Sequence, residues 1–253
     1  MSLAPADPAK RAAAAAALGL VQPGMRIGLG SGSTAAWFVR LLAERVRDGL
    51  DVACVATSSG TVRLAEEGGI RLARLDDLGR LDLTVDGADE IDPDLGLIKG
   101  GGAALLQEKI VASASDRLVI VADASKRIAT LGAFPLPVEV VRFCWGTTRA
   151  AIAALLERSD VAARGIAPRM AGDALLVTDE GHYLLDLALG RIGDAAALGQ
   201  SLNAIPGVVE HGLFLGMAER AILGHPDGRV EQLLPSGPAA ADYIEETMRN
   251  LDA

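Results

Sequence analysis

Aromatic residues are scarce in this chain of 253 residues: two Trp, two Tyr and four Phe, or 3%. A core must therefore be filled by Ala, Val, Leu and Ile. With 50% hydrophobic residues there is ample material for one large or two modest domains. Cys54 and Cys144 lie far apart with no C-x-x-C, which argues against a disulfide framework and a Cys-ligated zinc site. His182, His211 and His225 are too scattered for a metal triad, and neither a metal nor a cofactor is expected. There is no long basic run, and 24 Lys and Arg against 33 Asp and Glu leave a net charge of −9. That balance argues against nucleic acid or an anionic membrane as partner, so an anionic ligand would need a local site. No run of about 18 apolar residues reads as a membrane span, and no apolar segment after Met1 reads as a signal peptide. A soluble, cytoplasmic protein is expected. Lysine is rare too: 20 of the 24 cations are arginine, and the four lysines are Lys10, Lys99, Lys109 and Lys126. Against that background a lysine hints that a compact point charge is wanted.

What the chain does have is glycine in telling places. Lys99-Gly100-Gly101-Gly102 runs into a predicted helix at about 103–115, with Glu108 inside it. Consecutive glycines cost folding entropy and are tolerated where backbone approaches a ligand or N–H groups converge on negative charge. A helix N-terminus adds unpaired donors and a partial positive charge. Gly30-Ser31-Gly32-Ser33-Thr34 likewise joins a predicted strand, 25–29, to a helix reaching about 46, where α/β folds grip phosphate. It is neither a P-loop, for want of a lysine, nor a full dinucleotide fingerprint, and no nucleophile elbow is present. An ordinary glycine turn with a Ser/Thr cap is the plainer alternative.

Asp7-Pro8 caps a first helix through the alanine run 12–17. Further strands are predicted at 52–56, 70–73, 81–85 and 117–122, alternating with helices. This indicates an α/β fold: a Rossmann-like parallel sheet covered on both faces. After Lys126 the texture changes. A strand at 138–143, a helix at 148–158, a hairpin at 174–178 and 183–187, and a helix near 195–203 suggest a small inserted α+β domain of split-βαβ, ferredoxin-like type. The expected organisation is a catalytic domain of residues 1–132 and 206–230, the small domain 133–205, and a tail, 231–253. Segments 208–213 and 218–223 are expected to rejoin the first sheet. The tail reads as loosely attached, with one short helix and a linker-like Pro235–Ala241 segment.

Asp86-Gly87-Ala88-Asp89-Glu90 gathers three carboxylates at the carboxyl end of a strand, the edge where open α/β sheets bind ligands. A hairpin turn explains Asp86-Gly87 but not Asp89 and Glu90. Sugar hydroxyls rank above Mg²⁺ as their target, because no further ligand cluster appears. Lys99 and Lys126 should face this same edge, whereas Lys109 is expected on the solvated side near Asp116. Glu108 has apolar neighbours at three and four residues, which suggests partial burial and a raised pKa suited to a general base.

Together these blocks resemble ribose-5-phosphate isomerase of the A type over roughly residues 10–228. The resemblance rests on the segments around Ser31–Thr34, Asp86–Glu90, Lys99–Ala104 and Glu108-Lys109, on Ala122–Lys126 and Phe134–Val140, and on Asn203–Val208. It implies an aldose–ketose isomerase of the pentose phosphate pathway, acting through an enediolate with Glu108 as base, and forming a homodimer or homotetramer. Asp86, Asp89 and Lys99 would assist catalysis. Ser31, Gly32, Ser33, Thr34, Asp86, Gly87, Ala88, Asp89, Lys99, Gly100, Gly101, Gly102 and Lys126 would line the sugar-phosphate site. Which of Lys99 and Lys126 serves the phosphate stays open. Two rival readings are an aminosugar-phosphate deaminase-isomerase and a sugar-phosphate sensor. The first would need a catalytic histidine, yet none precedes His182; the second would need a basic DNA-binding helix at one terminus, and neither supplies one.

Overall fold

A computed structural model describes residues 7–235. The chain opens with α1 (Pro8–Leu18), β1 (Arg26–Leu29), α2 (Gly32–Arg47), β2 (Ala53–Ala56), α3 (Ser59–Glu67), the short α4 (Leu75–Leu78) and β3 (Leu83–Asp86). β4 (Glu90–Ile91), β5 (Leu97–Ile98), α5 (Leu105–Ser113) and β6 (Leu118–Asp123) follow. Next come β7 (Leu136–Val140), α6 (Trp145–Leu156), β8 (Gly165–Pro168), β9 (Met170–Ala171), β10 (Ala174–Leu175), β11 (Tyr183–Ala188), α7 (Ala195–Asn203) and β12 (Val208–His211). A short 3-10 turn, Ala124–Lys126, follows β6, and β13 (Leu213–Phe214), β14 (Arg220–Gly224) and β15 (Val230–Leu233) complete the described elements.

The main sheet has the order β15-β14-β6-β3-β1-β2, parallel except for its edge strand β15. Both faces are covered, and β6 shows why its sequence is a continuous apolar run. Val119 and Val121 join a core with Phe38, Leu42 and the alanines of α1, while Leu118, Ile120 and Ala122 join another with Ala112 of α5 and Phe214. Alternate side chains of one strand thus feed two cores. From β1 the chain steps outward to β2 and then returns past β1 to β3. The strand order reverses between β1 and β3, and the crevice beyond their carboxyl ends is where such sheets bind ligands.

The smaller unit is the expected split-βαβ arrangement. β12-β7-β11-β8 form an antiparallel sheet, with Ile152, Leu156, Leu198 and Leu202 of α6 and α7 packed against Val138, Leu185 and Leu187. A third sheet, β13-β5-β4, underlies the crevice.

Several segments depart from expectation. Val208–His211 does not rejoin the first sheet but pairs with β7, and Leu213–Phe214 pairs with β5; only β14 returns to the main sheet. Residues 70–73 contribute a single bridge, Cys54 to Leu72, instead of a strand. The hairpin is reduced to a Val177–Tyr183 bridge, because Ala174–Leu175 pairs with β9. Val230–Leu233 is no loose tail: it pairs with β14 from Ala221 to Gly224. The tail's short helix and the 236–241 part of its linker lie outside the described residues.

Candidate active site

β1 ends against β3, and Gly30 is the residue that lets it. Its N–H donates to the Val85 carbonyl at 2.9 Å. A Cβ at Gly30 would lie 2.5 Å from Asp86 Cα and 2.1 Å from Asp86 Oδ1, so any side chain there would push the two strands apart. The close approach lets Asp86 Oδ1 accept hydrogen bonds from Ser31 N at 2.9 Å and Gly87 N at 2.7 Å. The Ser31 hydroxyl does not project toward ligand. It is buried 2.8 Å from Thr57 Oγ1, and Thr57 in turn donates to the Leu29 carbonyl. What the loop offers is the start of α2 at Gly32, whose first N–H groups have no partner within the helix.

Opposite this loop, β5 delivers Lys99 beneath the crevice. Its Nζ donates to the Gly87 carbonyl at 2.5 Å, forms an ion pair with Asp86 Oδ2 at 2.9 Å and lies 3.4 Å from Glu108 Oε1. All three charged side chains are at least 95% buried. Burial pushes the Lys99 ammonium's pKa down, but the Asp86 and then the Glu108 carboxylates outweigh it, and it stands above its ordinary value. Glu108 lies on the buried face of α5 with Leu105, Val111 and Ala112. Its Oε2 is buried and has no hydrogen-bond partner. Burial first, and Asp86 second, push its pKa up to about 8, against the opposing pull of Lys99.

The glycine run closes the remaining side. Gly100 has φ +106°, a conformation disfavoured for residues with a side chain, and its carbonyl accepts from Ala103 N at 3.0 Å. The run was expected to present all its N–H groups to a ligand, but Gly101 N donates to Asp89 Oδ2 at 2.8 Å. Asp89 therefore organises the loop as well as facing the crevice.

A cavity of about 200 Å³ lies between these elements. Ser31–Thr34, Gly87–Asp89, Lys99–Gly102, Glu108 and Lys126 all line it, so every predicted site residue except Asp86 faces one space, and Asp86 sits beneath it on Lys99. Glu90 is turned away, accepting from Gly132 N at 2.7 Å and from Phe134 N. Among the described residues no group of three or more His, Cys, Asp or Glu side chains is placed to hold a metal ion. Nor is any helix there long and apolar enough to cross a membrane. Lys109 is not on the solvated side. It donates to Glu210 Oε1 and the His211 carbonyl, each at 2.7 Å, and its Nζ lies 4.7 Å from the Phe214 ring centroid.

Three cavity residues escaped the sequence reading. Lys10 reaches in from α1, where its backbone N–H caps on Asp7 and its ammonium lies 3.2 Å from the same carboxylate. Asp123 and Ser125 arrive from the end of β6. The rarity of lysine was the available signal for Lys10; for the other two it was their place in the Ala122–Lys126 segment, at the carboxyl end of a predicted strand.

The chain matches the family described as ribose 5-phosphate isomerase A (phosphoriboisomerase A) over residues 53–228. It is 56% identical to ribose-5-phosphate isomerase A of Cereibacter sphaeroides, an alignment covering 99% of this chain and 97% of that protein. Among solved structures, ribose 5-phosphate isomerase from Plasmodium falciparum superposes with a TM-score of 0.84 at 34% identity, covering 90% of this chain and 98% of that one. A D-ribose-5-phosphate isomerase in complex with phospho-erythronic acid gives 0.82 at 38% identity, covering 89% and 97%. Architecture, crevice and sequence agree: this chain belongs to the ribose 5-phosphate isomerase A family.

Proposed function

We propose that the protein interconverts ribose 5-phosphate and ribulose 5-phosphate, a step of the non-oxidative pentose phosphate pathway. In this reading Glu108 removes the C2 proton of the open-chain aldose and returns it to C1. The observation that carries the reading is the free Glu108 Oε2, buried in the cavity wall beside an ammonium 3.4 Å from its partner oxygen. A carboxylate with its pKa pushed up to about 8 has the proton affinity that abstraction from carbon requires. Lys99 stands where the intermediate enediolate would develop charge, and Asp86 holds it there. Asp89 faces the cavity to receive sugar hydroxyls. The phosphate would lie at the start of α2, between Ser31–Thr34 and the ammonium groups of Lys126 and Lys10. This divides the lysines by burial: Lys99 serves the reacting carbons and Lys126 the phosphate. The name of the C. sphaeroides relative supports a phosphorylated five-carbon sugar as substrate. The phospho-erythronic acid held by the solved relative, a four-carbon phosphorylated sugar acid, supports a sugar-phosphate site.

Glu108→Gln tests the assignment. It keeps size and hydrogen bonding but cannot accept a proton, so kcat should fall at least about 100-fold while affinity for phospho-erythronate stays nearly unchanged. Exchange of the C2 hydrogen with solvent deuterium should vanish in parallel. A variant that keeps more than about a tenth of wild-type kcat would remove Glu108 from the role.

A further inference from the structure

The glycine loop is held from behind by a side chain of the smaller sheet. Arg169 lies between β8 and β9, with its side chain only 15% exposed. Its Nη1 donates to the Gly100 carbonyl at 2.7 Å and, more loosely, to the Gly101 carbonyl at 3.3 Å. The rest of the guanidinium grips Asp186 of β11: Nε donates to Oδ2 at 2.9 Å and Nη2 to Oδ1. A fork of this kind fixes the guanidinium plane. The main chain is anchored too, since Arg169 N donates to the Leu184 carbonyl at 2.9 Å.

This clamp sorts the loop's amides. The Gly100–Gly101 peptide gives its carbonyl to Arg169 and its N–H to Asp89, so both ends are occupied. In the next peptide the Gly101 carbonyl faces Arg169. No described peptide is cis, and in a trans peptide the N–H points opposite to the C=O. The Gly102 N–H is therefore directed away from the guanidinium, and Gly102 lines the cavity.

We propose that Arg169 is a positioning residue for the isomerisation: by holding the Gly100 and Gly101 carbonyls it aims the Gly102 N–H into the cavity as a donor to the enediolate oxygen. The inference rests on the isomerase reading above. Positive charge on the carbonyl side also polarises the peptide and strengthens that donor. Asp186 neutralises the guanidinium, so the effect on the cavity is chiefly one of direction.

The test uses the full chain with Arg169→Gln, Arg169→Lys and Asp186→Asn. Removing an oxyanion donor outright costs about 100- to 1000-fold in kcat, and misaiming one should cost less. Arg169→Gln should therefore lower kcat about 10- to 100-fold and weaken phospho-erythronate, whose carboxylate carries charge where the enediolate would, by a similar factor. Ribitol 5-phosphate, which has no such charge, should bind within about threefold of wild type, and so should KM. Arg169→Lys keeps one donor and should recover part of the loss. Asp186→Asn should act in the same direction, and combining it with Arg169→Gln should add little. A purely structural tie would lower the melting temperature and leave kcat within about threefold, or weaken both ligands equally; either result overturns the proposal. If Arg169→Gln does not fold, Arg169→Lys and Asp186→Asn carry the same comparison. A wild-type protein that fails to isomerise ribose 5-phosphate overturns the isomerase reading and this inference with it, whereas unchanged kinetics in the variants of an active enzyme remove Arg169 alone.

Discussion

The buried Glu108 carboxylate should register as a pH-dependent load on the fold, measurable by comparing wild type with Glu108→Gln. Burial and Asp86 lift its pKa from an ordinary 4.5 to about 8. Between those values the folded state keeps a proton that the unfolded chain has released. The favourable contribution is thus complete below about pH 4.5 and is lost as the pH rises through about 8. At about 1.4 kcal/mol per pKa unit the full effect is on the order of 4–5 kcal/mol. An effective interior dielectric nearer about 20 than about 4 softens the burden, so about 2–4 kcal/mol should survive. Glutamine resembles the protonated acid in shape and does not titrate, and Lys99 and Asp86 are common to both proteins. Urea unfolding near pH 5 should give similar stabilities, with the variant pulling ahead steadily and the gap levelling off above about pH 8. Phosphate buffer must be avoided, since a ligand of the folded state would mask the difference. Stability curves that stay parallel across this range would refute a carboxylate with a strongly raised pKa.

Three further outcomes are expected. Lys126→Ala should weaken sugar phosphates more than the corresponding unphosphorylated sugars in calorimetric titrations, because Lys126 lines the cavity without the carboxylate contacts that occupy Lys99; equal losses would place the phosphate elsewhere. Gly30→Ala should cost at least about 1–3 kcal/mol in chemical denaturation and most of the activity, since its Cβ would meet Asp86 Cα at 2.5 Å; a fully active, stable alanine variant would contradict the close packing of β1 on β3. Truncation after residue 235 should leave a folded, active enzyme, whereas truncation after residue 229 removes β15, exposes the edge of β14 and should lower the melting temperature; indistinguishable melts would show that β15 contributes nothing.

The alternating core was readable because parallel strands such as Leu118–Ala122 are apolar on both faces and the loops after them carry the polar chemistry. The glycines around Ser31 and after Lys99, and the carboxylates at Asp86 and Asp89, stood out for the same reason: each is costly unless something uses it. What could not be read was pairing between distant short strands. Val208–His211 reads only as a short strand, with nothing local to name its partner, and pairing with β7 decides where it goes. Lys109 lacked any local sign that Glu210, far along the chain, would draw it inward. Asp89 looked like a ligand group, and nothing nearby showed that it would also take up the Gly101 N–H. Arg169 was hidden as one of 20 arginines, its hold on the Gly100 carbonyl made between residues 69 apart in the chain.

The strand that carries Lys99 has a consequence for how the enzyme comes into being. Lys99 N donates to the Gly212 carbonyl at 2.9 Å, and Ile98 pairs with Leu213, partners more than a hundred residues later in the chain. A nascent chain that has emerged as far as β6 already holds four neighbouring strands of the main sheet, yet its lysine strand still lacks β13. The whole smaller unit must be synthesised and turned back before that gap closes, a long-range closure of the kind that slows folding. Glu108 and Asp86 would wait beside an unanchored lysine until then. Competence should therefore appear late and abruptly on the ribosome, and chains stalled before residue 212 should be compact but inert.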